Sequence, residues 1–221
     1  MQVKTIFSKF LVPMIGAALI SGCGEKTPPL PSEALDRAAA CGVVAAASER
    51  EAAGANGDLS ADAQARILHY AMLYASTGAA LDEDKVNAVS KRMPALFDRT
   101  IKGKWQNLRP ACAQAFPSAQ IRQPMLPAKP MDSMLQCYVL ADFVRKVLSE
   151  QKGSYGAAAN DYRTLKDRLD IEMTPLLRAA GLHNGPALQH KRLEALAAAA
   201  KLGQPPAVIS ACEKKYPVSG R

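Results

Sequence analysis

Aromatic side chains are scarce in this chain, with a single tryptophan among them, and β-branched residues are few. No segment alternates apolar and polar residues on either side of a tight turn, so strands and hairpins are not expected. The cysteines are never spaced as C-x-x-C, and His69, His183 and His190 lie apart from them in sequence. That removes the common zinc and c-type haem patterns, and no metal or cofactor is expected. There is no G-x-S-x-G elbow and no glycine-rich phosphate loop, so no nucleophile or nucleotide motif stands out. Lysine and arginine occur in pairs such as Arg145-Lys146 and Lys214-Lys215 rather than in runs, which argues against nucleic acid as a partner.

What the chain does have is alanine, in quantity, and 48% hydrophobic residues overall. Alanine is the strongest helix former, and this apolar content is enough to bury a core, so an all-α fold is expected. The first residues are organised differently. Lys4 and Lys9 precede an apolar stretch from Phe10 to Ile20, broken by Pro13 and Gly16, and the run ends in Leu19-Ile20-Ser21-Gly22-Cys23. The apolar stretch is too short for a permanent span, which needs about 20 residues. A branched aliphatic residue and then small residues before a cysteine resemble the lipobox of bacterial lipoproteins. The resemblance covers only the leader. It implies that residues 1–22 are a signal peptide, that Cys23 receives a diacylglycerol thioether, and that the mature protein is held to a membrane of the cell envelope, facing the periplasm. Gly24, rather than an aspartate, follows Cys23, which by the sorting tendency of such lipoproteins favours the outer membrane. Residues 23–32 carry Pro28, Pro29 and Pro31 and read as an extended tether.

Loss of the two leader lysines lowers the formal charge from +8 to +6. A modest positive charge serves solubility, or attraction to anionic lipid head groups and acidic glycans of the envelope.

Four cysteines remain after Cys23: Cys41, Cys112, Cys137 and Cys212. An even number in an oxidising compartment implies bridges. Their pairing follows from an internal duplication. Ala79 to Pro117 can be laid over Ala179 to Pro217 at a constant offset, matching Lys91-Arg92-Met93 to Lys191-Arg192-Leu193, Gly103 to Gly203, Ala111-Cys112 to Ala211-Cys212, and Phe116-Pro117 to Tyr216-Pro217. With a short gap, Cys41 corresponds to Cys137. Each repeat then opens and closes with a cysteine, and the expected bridges are Cys41 to Cys112 and Cys137 to Cys212; the rival pairing joins Cys112 to Cys137 and Cys41 to Cys212.

The expected architecture is two tandem helical units of about four helices each, each stapled by one disulfide. The first spans 33–117, with helices near Glu33 to Ala53, Ala61 to Thr77, Asp82 to Lys102 and Trp105 to Phe116. A proline-rich linker or crossing strap occupies 118–131. The second unit spans 132–217 and is followed by a short tail, 218–221. Its first helix, capped by Asp132 or Ser133, carries the stripe Leu135, Val139, Phe143 and Val147, widened by Tyr138, Leu140, Val144 and Leu148. A second helix from near Asn160 carries Leu165, Leu169, Met173 and Leu176, with Pro175 kinking or shortening it. The third begins at Pro186 and stops before Gly203; the fourth begins near Pro205-Pro206.

Candidate chemistry is thin. His69 sits among apolar residues beside Tyr70 and Tyr74, the pattern of a packed helix residue. His183 and His190 flank a helix start. Asp82, Glu83 and Asp84 offer paired carboxylates but equally complement a helix dipole. Trp105, near Lys102, Lys104 and Arg109, either stacks on a sugar or packs on the bundle. The recurring pairs Lys91, Arg92 and Lys191, Arg192 are candidate anion sites, or solvated faces inherited by both repeats. The expected function is a membrane-anchored, non-enzymatic envelope module that binds another protein or an anionic envelope component, as an inhibitor or a scaffolding factor would. The alternatives are an enzyme acting on envelope glycan or lipid, with His69, His183 and Asp82 as first candidates, and a periplasmic carrier of an apolar ligand.

Overall fold

Helix-start chemistry is local, and in the first half each long helix opens on a side chain that caps it. The Glu33 carboxylate accepts from the Asp36 amide at 2.7 Å and opens α1, Ala34–Ala53. Ser60 accepts from the Ala63 amide and opens α2, Ala61–Ala75; Asp82 accepts from the Asp84 and Lys85 amides and opens α3, Glu83–Ile101. A 3-10 turn at Trp105–Leu108 leads into the short α4, Arg109–Ala115. In the second half come α5, Pro130–Glu150, α6, Tyr155–Ala179, α7, Gly185–Leu202, and α8, Pro205–Lys215, the last two with proline in the first turn. The computed structural model describes residues 29–54, 59–150, 155–182 and 184–217, the side chains of 155–161 excepted. Cys23, the leader, His183 and the tail 218–221 lie outside the described residues. Among those described the fold is all-α, and no helix is long and apolar enough to cross a membrane.

Both expected bridges are present. Cys41 joins Cys112 across a Cα separation of 5.5 Å, and Cys137 joins Cys212 across 5.8 Å, tying the first helix of each half to its last. All four cysteines are buried. The two last helices also end alike: the Phe116 amide donates to the Cys112 carbonyl at 2.9 Å, and the Tyr216 amide donates to the Cys212 carbonyl at 2.8 Å.

The halves pack differently around these shared ends. In α1 the buried run Ala38, Ala39, Ala40, Cys41 and Gly42, which continues into Val43 and Val44, is small enough for α2 and α3 to approach closely. A Cβ on Gly42 would stand 3.0 Å from the Met93 sulfur of α3. The aligned position in α5 is Tyr138, whose ring is buried and carries the Arg192 guanidinium of α7 at 5.4 Å. Along α5, the buried side is Leu135, Val139 and the set Tyr138, Leu140, Val144 and Leu148; Phe143 and Val147 are only half-buried.

The second half refines three expectations. Of the two effects expected of Pro175, kinking and shortening, shortening does not occur: α6 continues to Ala179. The ring is exposed, so the donor it lacks is lost on the solvent side, where water can serve the Ile171 carbonyl. The apolar stripe of α6 closes on Leu177, which is buried, and not on Leu176, which is exposed, because the four-residue step from Met173 falls on 177. Nor do Asp132 and Ser133 precede α5: the helix already starts at Pro130, and Ser133 is buried in its first turn with the Lys215 ammonium 3.0 Å from its hydroxyl.

One continuous apolar core joins the halves. Its hub is α2, buried on nearly every side from Ile67 to Met72 because α1 and α3 pack on one flank and α7 and α8 on another. The linker expected over 118–131 crosses as a strap over residues 118–129, ahead of α5: the Gln204 amide donates to the Ile121 carbonyl, the Gln204 side chain to Ala119, and Lys215 to Pro127. Gly203, at φ +155°, makes this crossing possible, because a Cβ there would stand 2.8 Å from the Ile121 carbonyl oxygen. Gly203→Ala is expected to cost about 2 kcal/mol or more, from backbone strain and a clash with main chain. Urea titration checks this; a loss below about 0.5 kcal/mol would mean that the strap yields freely.

Candidate functional site

An open cleft of about 540 Å³ lies between α1, α2 and α3. Its walls are Val43 and Ala46 of α1, Ile67, Leu68 and Ala71 of α2, and Met93 and Phe97 of α3, with Val147 of α5 at one end. The concavity has a simple origin: Ala46 and Ala71 are too small to fill the space that the larger side chains around them define. Arg50, Gln64, Ser90 and Asp98 stand around the apolar walls, with charges of both signs. Pro94, inside α3, lines the cleft and lacks the amide that would bond the Ser90 carbonyl. Phe97 remains 38% exposed, a large apolar ring left in water at the cleft mouth.

The residues singled out from sequence are not gathered there. His69 is fully buried in α2, its Nε2–H donating to the Ala200 carbonyl of α7 at 2.7 Å. Burial pushes its pKa down to about 4, the carbonyl opposing weakly, so the ring is neutral at pH 7 and serves as a cross-half strut. His190 is exposed, 3.3 Å from Glu194 one turn away. Asp82 is occupied as the cap of α3, with Lys85 at 3.7 Å. Trp105 is half-buried against a small cluster around Tyr70, Leu108 and the Cys41 to Cys112 bridge, with the Arg109 guanidinium 4.9 Å from its ring; Arg109 itself is paired with Glu51. Packing, not an open stacking platform, is its arrangement.

The four recurrent cations have unlike surroundings. Arg92 forks onto Asp36 through two bonds of 2.6 and 2.9 Å, bracing α3 against α1 and holding the Asp36 carboxyl below its usual range. Lys191 pairs with Glu194 at 3.1 Å and lowers that carboxyl in turn. Arg192 rests on the Tyr138 ring, and Lys91 is exposed. Three of the four are thus engaged in packing or pairing.

The cleft residues were missed by sequence reasoning. Met93 and Phe97 lie one turn apart on α3, and a proline sits between them; together these were the available signal for a groove wall. Among the described residues no cluster of three or more His, Cys, Asp or Glu is arranged to hold a metal ion. No protein-family model, no curated protein and no solved structure matches the chain.

Proposed function

We propose that this protein is a lipid-anchored module of the bacterial cell envelope that binds a partner protein, with the apolar cleft between α1, α2 and α3 as its docking groove. Cys23 is the anchor and residues 23–32 the tether, with the outer membrane as the favoured site and the domain facing the periplasm. The reading rests on one observation above others: a groove bounded by three helices, open to solvent, with an exposed Phe97 at its mouth. An amphipathic helix of a partner fits such a groove, its apolar stripe on Met93, Phe97 and Ile67 and its polar flanks against Arg50 and Asp98.

A photoreactive phenylalanine analogue at position 97, illuminated in intact cells, is expected to yield one discrete protein adduct. Ala46→Trp, which fills the groove, should abolish it while both disulfides still form. An adduct of lipid mass would instead favour carriage of an apolar ligand, and the absence of any adduct would remove the groove from function. In the same cells Cys23→Ser is expected to release the mature chain from the membrane fraction; retention there would contradict the anchor.

A further inference from the structure

A second cleft, of about 380 Å³, lies on a different side of α2. It is bounded by the start of α1, the end of α2, the segment after α4 and the last turn of α7. Two cations line it, Arg37 and Lys201, and no carboxylate does. Among the described residues neither cation has an anionic partner. The Arg37 guanidinium donates to the Pro31 and Ser32 carbonyls, which fixes its place without neutralising its charge. Hydroxyl groups of Ser76, Thr77 and Ser118 share the lining, as do the rings of Tyr74 and Phe116.

Ser76 is the independent observation. It is 0% exposed, yet its Oγ has no hydrogen-bond partner among the described residues. A buried hydroxyl left unbonded is costly, and one in the wall of a charged cleft gains its missing bond when a ligand oxygen displaces the atoms that cover it. Helix carboxyl ends also face this region, and their negative partial charge opposes an anion. Several of those carbonyls are already answered, however: Leu73 by the Ser76 amide, Ala75 by the Asp82 amide and Cys112 by the Phe116 amide. What remains open to a ligand is two unpaired positive charges, hydroxyl donors and two aromatic rings.

We infer that this cleft binds a phosphate group carried on a small hydroxylated body, with Arg37 and Lys201 supplying charge and Ser76 a hydrogen bond. The cleft lies where the chain from Cys23 joins the fold, since Arg37 also holds the Pro31 and Ser32 carbonyls. A phospholipid headgroup and a soluble phosphate ester share this chemistry. The assignment is independent of the groove on α3.

The test uses the full exported chain carrying Cys23→Ser, with both disulfides formed. Glycerol 3-phosphate and inorganic phosphate are titrated by calorimetry, and co-sedimentation is measured with phosphatidylglycerol and with phosphatidylcholine vesicles. Saturable binding of the soluble compounds, weakened about tenfold by Lys201→Glu and severalfold by Ser76→Ala, would establish a free phosphate ester as the source. Binding confined to phosphatidylglycerol vesicles, with the same losses, would establish the headgroup. Lys201 is exposed, so its reversal leaves the fold intact even if Ser76→Ala does not. Binding that is absent for every probe, or indifferent to Lys201→Glu, would overturn the assignment.

Discussion

Replacing Cys41 and Cys112 together by alanine is expected to lower the unfolding free energy by about 4 kcal/mol and the melting temperature by about 10 °C. The bridge closes a loop of sequence separation 71, and in the chain-entropy model such a loop removes much of the freedom of the unfolded chain. The site of failure is predictable too. The segment it anchors, α4, is only 7 residues long, too short to hold as a helix by itself, and it packs on a small cluster formed by Val44, Tyr70, Leu108 and Ala119. Amide exchange should therefore show residues 109–116 losing protection before the rest of the molecule. The counterpart double replacement at Cys137 and Cys212 should cost a similar amount but act globally, because Val208, Ile209 and Cys212 of α8 belong to the main core. Urea denaturation of the two double variants, with hydrogen exchange read by mass spectrometry, checks both statements. A loss below about 1 kcal/mol for either pair would show that native packing alone holds its terminal helix.

Acid should destabilise this protein in a window set by one histidine. His69 is neutral in the native state because burial lowers its pKa from 6.5 to about 4, while in the unfolded chain it protonates near 6.5. The unfolded state therefore binds the extra proton first as pH falls. The stabilisation is fully present above about pH 6.5 and is lost progressively down to about pH 4, an effect of about 3 kcal/mol. Asp36 and Glu194, whose carboxyls are held below their usual range by Arg92 and Lys191, lose their contribution only as pH falls further through the carboxylate range. His69→Gln keeps an N–H donor for the Ala200 carbonyl but cannot charge, so its stability should stay nearly level between pH 7 and pH 4.5. Denaturant midpoints of both proteins across that range decide the matter, and parallel curves would assign the acid sensitivity elsewhere.

Helix starts and the disulfide pairing were legible because their causes are local or symmetrical. Ser60, Asp82, Pro186 and Pro205 act within a single turn. The pairing followed from matching Cys112 with Cys212, and the similar endings at Phe116 and Tyr216 match the same offset. Pro175 left kinking and shortening both open because the cost of a helical proline depends on whether its missing donor faces water or core, which the linear pattern does not record. Lys91-Arg92 and Lys191-Arg192 look equivalent as strings, yet Arg92 finds Asp36 on α1 whereas Arg192 finds the Tyr138 ring on α5. The groove was invisible for a related reason. Met93 and Phe97 extend the apolar side of α3 in sequence, and only the neighbouring Ala46 and Ala71 determine that the space beyond them is left empty.

By itself the sequence determined the helical class, most element boundaries, the two bridges and the expectation of a signal peptide over residues 1–22 followed by a lipidated Cys23, since each depends on residue chemistry within a few turns or on one repeated motif. The tertiary structure alone decided that α2 is the shared hub of both halves, that His69 is a buried strut, that the strap ahead of α5 locks onto Gly203 and Gln204, and that two clefts flank α2. Those outcomes depend on which side of each helix meets another and how large the facing side chains are. Contacts between distant segments carry that information, and helical periodicity specifies an apolar face without naming its partner.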